Sequence, residues 1–178
     1  MNTLLHACCA PCSIECVNAL CQEGIAPTLY WYNPNIHPFT EYKSRKDTLV
    51  SYAQNNGIEY ILQDEYGLRP FLAAVTPELD RRCVHCYEIR LNGTARYAAE
   101  HGYEQFSTTL LISPYQNHDL LRETGEHMAQ KYGVGFLYRD FRPYFREGQQ
   151  KAREMELYMQ KYCGCIFSEE ERYQKKKK

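Results

Sequence analysis

Short apolar runs alternate along this chain with longer segments in which apolar residues recur at helical spacing. The apolar runs are rich in β-branched and aromatic residues and are bounded by Gly, Pro and Asn, which is typical of buried strands. We predict strands at residues 3–7, 26–32, 59–62, 105–112 and 134–138.

Helices are predicted in the segments that follow these strands. Pro11 can occupy a first helical position and Gly24 lies just beyond the last one, which is the usual asymmetry of helix ends. The predicted helices run from Pro11 to just before Gly24, over 42–56, from a start at 76–78 to Gly102, through the apolar stripe between Leu120 and Tyr132, and over 149–162.

Strands that alternate with helices indicate a parallel sheet covered by helices on both faces. We therefore predict an α/β, Rossmann-like fold. A length of 178 residues matches one domain, which we assign to residues 1–178. Residues 174–178, of which four are Lys, are predicted to be a disordered basic tail.

Charge and composition narrow the functional classes. The 21 Lys and Arg and the 22 Asp and Glu give a net charge of −1, so any nucleic-acid contact must come from a local patch. No apolar run reaches the roughly 18–20 residues that cross a bilayer, and the first residues lack signal-peptide features. We expect a cytoplasmic protein without a membrane span.

Nine cysteines are the most unusual feature of the composition, because an odd number cannot all pair and an intracellular chain keeps its thiols reduced. The first group follows the first predicted strand, where ligands collect in open α/β sheets and a helix N-terminus stabilises thiolate. Cys16 and Cys21, inside a predicted helix, are interpreted as inert packing residues. The other seven form three groups: Cys8, Cys9 and Cys12; Cys83 and Cys86; Cys163 and Cys165.

The seven grouped cysteines favour a metal centre, and their spacing alone leaves the metal open. Four thiolates suit either a structural zinc ion or an iron–sulfur cluster. A metal-free thiol–disulfide pair at Cys83 and Cys86 is less favoured, because such a pair normally follows a first strand. The first predicted strand–helix turn carries cysteines in place of a Gly-rich phosphate loop, so we expect no use of ATP.

Six sequence blocks occur in a fixed order: LHACCAPC at 5–12, YNPNI at 32–36, RCVHCY at 82–87, STTLL at 107–111, SPYQN at 113–117 and YCGC at 162–165. Together they resemble the QueH-type epoxyqueuosine reductases over nearly the whole chain. The resemblance implies a tRNA-modifying enzyme of the last step of queuosine synthesis, with a nucleotide-hydrolase-like (HUP-type) Rossmann fold. It also implies a 4Fe-4S cluster next to a mononuclear iron.

The resemblance further implies that all seven grouped cysteines are metal ligands, four for the cluster and three for the single iron. Some members of the family have Asp at the position of Cys12, and a carboxylate suits a single iron better than a cluster corner. We therefore predict a single iron held by Cys8, Cys12 and Cys163 and a cluster held by Cys9, Cys83, Cys86 and Cys165, with the two cysteines of the last group interchangeable.

In the reaction that the resemblance implies, the epoxide oxygen of epoxyqueuosine at the tRNA anticodon wobble position leaves as water. The single iron would act as a Lewis acid, and the cluster would relay electrons from an external donor. The proton donor is left open among four residues at or near predicted loops: Tyr115, His118, Asp119 and Asp140.

An anticodon loop is recognised by aromatic or Arg planes for stacking and by cations for phosphates. The basic and aromatic stretch 139–146 follows a predicted strand and is favoured for this contact. Other basic and aromatic candidates are Tyr42, Lys43, Arg45, Lys46, Arg81 and Arg82. The alternative function is a zinc-stabilised RNA-binding module without catalysis.

Overall fold

The computed structural model describes residues 1–174, which build a five-stranded sheet covered by helices. All strands pair in parallel, in the order β3-β2-β1-β4-β5. The predicted α/β, Rossmann-like class is confirmed. The strands are β1 (Thr3–His6), β2 (Thr28–Trp31), β3 (Tyr60–Leu62), β4 (Gln105–Thr108) and β5 (Gly135–Phe136).

Helices fill the segments between and after the strands. In the part of the chain that the structure describes they are α1 (Ala10–Gln22), α2 (Phe39–Asn55), α3 (Leu68–Val75), α4 (Arg82–Glu100), α5 (His118–Tyr132), α6 (Phe145–Glu154) and α7 (Ile166–Tyr173). Short 3-10 turns cover Thr76–Arg81, Thr109–Ile112 and Arg142–Tyr144.

Strands β2 and β3 lie on one side of β1, and strands β4 and β5 lie on the other. The chain runs from β1 outward to β2 and β3, and then returns to pair β4 with the other side of β1, with Leu5 opposite Ser107. In open parallel sheets, a crevice lies at such a reversal, beyond the carboxyl ends of the two strands. The segments that follow β1 and β4 therefore flank the expected position of a ligand.

The inner strands carry the core. Every residue of β1, β2 and β4 is buried, which is expected when helices cover both faces of a parallel sheet. Trp31 of β2 packs edge-on against Tyr42 of α2, and its indole N–H donates to the Tyr42 hydroxyl at 3.2 Å. This contact packs α2 against the sheet.

The strand predicted at 105–112 is wrong beyond Thr108. The Thr108 hydroxyl accepts the N–H of Leu110 at 3.2 Å, and this bond starts the 3-10 turn Thr109–Ile112. The residues of this turn are buried although they have left the sheet, so their apolar character alone could not reveal the end of the strand. The last strand is likewise shorter than 134–138.

The helix predicted at 149–162 is also wrong. Helix α6 starts earlier and ends at Glu154, where the Leu157 N–H bonds to the Ala152 carbonyl and Glu156 takes a φ of +54°. Residues 157–165 continue without helix. The short helices α3 and α7 were not predicted, and a 3-10 turn stands where the helix start at 76–78 was expected.

Two further predictions concern the ends and the environment of the chain. Within residues 1–174, no helix combines the length and the apolar character needed to span a bilayer. Residues 175–178, nearly all of the basic tail predicted at 174–178, lie outside the described residues. The domain assignment to residues 1–178 stays a prediction.

Candidate metal centre

The first cysteine group lies in the crevice between β1 and β4. Cys8 lies two residues beyond the end of β1, and its N–H donates to the hydroxyl of Thr109, the residue that follows β4, at 3.2 Å. The same hydroxyl lies 3.5 Å from the Cys8 sulfur. The sheet order therefore brings the loop of the first cysteines against the turn that ends β4.

Cys8, Cys9 and Cys12 converge on one point. Their sulfurs lie within 4.8 Å of one another and all three side chains are buried. Cys9 precedes α1, and Pro11 stands in its first turn, so the backbone turns into the helix at this place. Three sulfurs at this separation form a set that can hold a metal ion.

The thiols of this triad differ in acidity. The pKa of Cys8 is well below its usual value, because hydrogen bonds from Cys12, Cys9 and Thr109 to its sulfur outweigh the effect of burial. The pKa of Cys9 is raised, chiefly by burial, and that of Cys12 is raised, chiefly by its hydrogen bond with Cys8. Cys8 is therefore the most acidic thiol of the triad.

The second and third cysteine groups meet each other. Cys86 of α4 and Cys165, which precedes α7, pack in one small buried apolar cluster. The pKa of the Cys86 thiol is raised to about 12, chiefly by burial; Arg90 lowers it, and the thiols of Cys165, Cys163 and Cys83 raise it. The pKa of Cys83 is raised by burial and then by Cys163. Four thiols from both groups thus share one electrostatic environment.

The loop that carries Cys163 and Cys165 is held by α2 and by the segment before it. Arg45 donates to the Cys163 and Tyr162 carbonyls, each at 2.8 Å. The His37 N–H donates to the Gly164 carbonyl at 2.8 Å. A Cβ on Gly164 would lie 3.2 Å from the Ile36 side chain, so a glycine fits this close approach.

A cavity of about 350 Å³ joins the first and last cysteine groups. Cys8 and Cys12 line it together with Cys163, which comes from the far end of the chain. Cys9, at 1% exposed, is more deeply buried than Cys8 and Cys12. The three sulfurs that face the cavity are therefore those of Cys8, Cys12 and Cys163.

Two glutamines that line this cavity donate their side-chain amides to cysteine sulfurs. Gln160 Nε2 lies 3.0 Å from Cys9 Sγ and 3.5 Å from Cys12 Sγ. Gln116 Nε2 lies 3.4 Å from Cys163 Sγ. Neither contact was predicted from the sequence. Gln116 belongs to the SPYQN block, which could have drawn attention to it. Gln160 lies in a segment predicted as helix, and no motif marks it.

The four proton-donor candidates occupy different surroundings. Tyr115 lines the cavity, whereas Asp119 is an exposed residue of the first turn of α5. His118 is buried, with Nε2 3.1 Å from the Ser113 carbonyl and Nδ1 without a partner among residues 1–174. Asp140 pairs with Arg142, and this hydrogen-bonded pair lowers the Asp140 pKa to about 2. Asp140 is therefore held as a carboxylate.

Several of the residues expected to contact RNA are buried or engaged in ion pairs. Arg45 is buried in an ion pair with Glu41, and Tyr42 and Phe141 are core residues. Arg139 is paired with Glu23 at 2.8 Å. The contribution of these side chains to an RNA surface is thereby reduced.

The two cysteines interpreted as packing residues differ from each other. Cys16 is fully buried in the core, as expected. Cys21 is exposed, so its interpretation as a buried packing residue is wrong; it lies in the last turn of α1, whose end faces solvent.

Comparisons with known proteins show one family over nearly the whole chain. The family model described as Epoxyqueuosine reductase QueH matches residues 3–171. An epoxyqueuosine reductase QueH of Dehalococcoides mccartyi is 41% identical over 97% of this chain and 94% of its own length. That of Thermotoga maritima is 34% identical over 98% of this chain and 93% of its own.

A solved structure shares the fold at low sequence identity. It is a predicted subunit of tRNA methyltransferase from Methanocaldococcus jannaschii, with a TM-score of 0.54, 12% identity, and coverage of 85% of this chain and 75% of its own. This likeness concerns the fold alone. The match over residues 3–171 spans all three cysteine groups and the cavity between them, and the chain belongs to the epoxyqueuosine reductase QueH family.

Proposed function

We propose that this protein is an epoxyqueuosine reductase that acts on tRNA. The epoxide of epoxyqueuosine at the wobble position takes up two electrons and two protons. Both carbon–oxygen bonds of the epoxide break, a carbon–carbon double bond forms and the oxygen leaves as water. The observation that carries this proposal is the cavity at the strand reversal, into which Cys8, Cys12 and Cys163 all face.

The donor set fits a 4Fe-4S cluster and an adjacent mononuclear iron. All nine cysteines are free thiols, seven of them lie in the three groups described above, and thiolate is the ligand that iron–sulfur clusters require. Amide N–H groups of Gln116 and Gln160 point at three of the sulfurs, which suits anionic acceptors. When bound, the metals would supply a Lewis acid for the epoxide oxygen and a relay for single electrons.

The lining of the cavity supports one partition of the ligands. Cys8, Cys12 and Cys163 face the space where a substrate would bind, so we assign them to the single iron. Cys9 is more deeply buried than Cys8 and Cys12, and Cys83, Cys86 and Cys165 share one electrostatic environment, to which Cys163 also belongs. We assign these four, Cys9, Cys83, Cys86 and Cys165, to the cluster.

The protein itself positions the proposed metal ligands and supplies a proton. Arg45 and His37 hold the loop of the last two ligands from its carbonyl side. Of the proton-donor candidates, Tyr115 lines the same cavity as the thiols, and its hydroxyl is the donor that we propose. An external electron donor supplies the two electrons, and the reaction as written needs no ATP.

Anaerobic reconstitution with iron and sulfide, followed by assay on tRNA that contains epoxyqueuosine, tests the proposal. We expect a brown, oxygen-sensitive protein that forms queuosine. Serine at any one of the seven ligands abolishes product, whereas Cys21→Ser, which changes an exposed thiol outside the site, keeps full activity. A colourless protein with tightly held zinc and no product would instead support the RNA-binding module.

A further inference from the structure

Tyr115 is the most exposed aromatic residue that lines the cavity. Its side chain is 86% exposed, which is unusual for an aromatic ring that has apolar surface to bury. The ring lies edge-on to Phe145, with 6.0 Å between the ring centroids, and Phe145 lines the cavity as well. One face of the Tyr115 ring is therefore open at the entrance to the thiol site.

The loop that carries Tyr115 is fixed to the metal centre. The Tyr115 N–H donates to the Ser113 hydroxyl at 3.2 Å. The side-chain amide of the next residue, Gln116, contacts the sulfur of Cys163 at 3.4 Å. The Tyr87 hydroxyl donates to the Gln116 amide oxygen and accepts the Asn117 N–H. The exposed ring is thus held one residue away from a group that touches a proposed iron ligand.

A cation accompanies the ring on the cavity wall. Lys161 is exposed, lines the cavity, and has no carboxylate within salt-bridge distance among residues 1–174. An aromatic platform beside a cation is the arrangement that holds unpaired nucleotides, because the base stacks on the ring and the phosphate binds the charge. A cavity of about 350 Å³ is within the range that accepts a small ligand.

We propose that Tyr115 is the platform on which the modified wobble base stacks, with the adjoining phosphate on Lys161. This inference rests on the proposed function and adds the residues that receive the base. Stacking on Tyr115 keeps the base at the entrance and directs the epoxide-bearing group past Gln116 toward the cysteine sulfurs. The ring of Tyr115 serves binding, and its hydroxyl is free for proton donation.

Binding of an RNA hairpin with the sequence of the tRNA anticodon arm tests the inference without any chemistry. The reconstituted full chain is titrated with an unmodified hairpin and with one that has an abasic wobble nucleotide, and fluorescence anisotropy gives the affinities. Tyr115→Ala should weaken binding of the unmodified hairpin at least about fivefold. Tyr115→Phe should bind like the wild type, because the ring remains.

The abasic hairpin separates stacking from a general loss of binding. Tyr115→Ala and the wild type should bind it equally, since no wobble base is left to stack. Phe39→Ala is the matched control, because Phe39 is 54% exposed on α2 and should leave both affinities unchanged. Lys161→Ala should weaken binding of both hairpins and reduce the salt dependence.

Two results would overturn the inference. One is an unchanged affinity of Tyr115→Ala for the unmodified hairpin, and the other is an equal loss for both hairpins. Metal content and circular dichroism of the variant confirm that it is folded. A wild-type protein that binds RNA in this pattern but forms no queuosine would refute the proposed function instead, so the two failures are distinct.

Discussion

The side-chain amide of Gln160 donates to the sulfur of Cys9 at 3.0 Å, and the same nitrogen lies 3.5 Å from Cys12 Sγ. One amide therefore contacts a thiol that we assign to the cluster and a thiol that we assign to the single iron. Its oxygen is buried and has no hydrogen-bond partner among residues 1–174. Gln160 thus stands between the two parts of the proposed centre.

Removal of this N–H donor should shift the reduction potential of the loaded protein to a more negative value. Hydrogen bonds to sulfur and the net charge around a cluster both set its potential. We expect a negative shift in Gln160→Leu and a larger one in Gln160→Glu, which loses the donor and adds a charge. A redox titration followed by visible absorption measures the shift.

The control for this prediction is Gln150→Leu, which changes an exposed glutamine on α6 that bonds to Glu154. Its potential should equal that of the wild type. If both Gln160 variants carry full metal and keep the wild-type potential, the amide has no influence on the centre.

The buried pair of Arg45 and Glu41 should be costly to break. The two side chains are 1% and 9% exposed and lie 2.7 Å apart, and Arg45 also holds two carbonyls of the cysteine loop. Arg45→Met leaves a buried carboxylate without its partner, so we expect a loss of about 3–5 kcal/mol in the free energy of unfolding. Urea denaturation at neutral pH measures it.

The double variant Glu41→Gln/Arg45→Met provides the comparison. It removes the unpaired charge as well, so it should be less destabilised than Arg45→Met alone. A single variant that unfolds within about 0.5 kcal/mol of the wild type would contradict the role of the ion pair.

The sequence predicted that Cys8, Cys9 and Cys12 come together, because three cysteines within five positions at a strand–helix turn can aim their sulfurs at one point. It could not predict the burial of Arg45. That residue lies between Lys43 and Lys46 in a polar helix, and its carbonyl partners are more than a hundred residues away in a loop that was expected to be helical. Long-range contacts of irregular segments leave no periodic pattern for sequence analysis to detect.

The end of β4 also could not be predicted from the sequence. Leu110 to Ile112 are as apolar as a strand, and one hydroxyl-to-backbone bond from Thr108 decides that they form a turn. Likewise, the exposed Cys21 and the buried Cys16 belong to one helix, and only the packing of that helix separates them.

Stability should fall as the pH is lowered because of His37. This side chain is fully buried, its Nε2 donates to the Pro34 carbonyl at 3.0 Å, and its Nδ1 accepts the Ile166 N–H at 3.3 Å, so it is held neutral. Burial lowers the His37 pKa from 6.5 to about 4. The unfolded chain therefore binds a proton at a higher pH than the folded one, and stability is lost as the pH falls from about 6.5 toward 4.

From pH 7 to pH 5 the contribution of His37 to this loss should be about 1–2 kcal/mol. His37→Gln has no titrating ring. Between pH 7 and pH 5 its free energy of unfolding should therefore fall by about 1–2 kcal/mol less than that of the wild type. The pKa of His6 is also lowered to about 4, and His6 contributes equally to the pH dependence of stability in both proteins. Equal pH slopes for wild type and variant would show that His37 is not the group that titrates.

Metal loading should change which cysteines react with an alkylating agent. In the metal-free protein the exposed thiols are Cys21, Cys83 and Cys163, whereas the other six are buried. Two of these three are proposed ligands, and a thiolate bound to metal is withdrawn from alkylation. After anaerobic reconstitution we therefore expect iodoacetamide to label Cys21 at its original rate and to label Cys83 and Cys163 far more slowly, as read by mass spectrometry of the peptides.

Cys21 serves as the internal control, and a chelator that strips the metal should restore labelling of Cys83 and Cys163. Persistent fast labelling of Cys163 in fully loaded protein would remove it from the ligand set, and the single iron would then require a different third ligand.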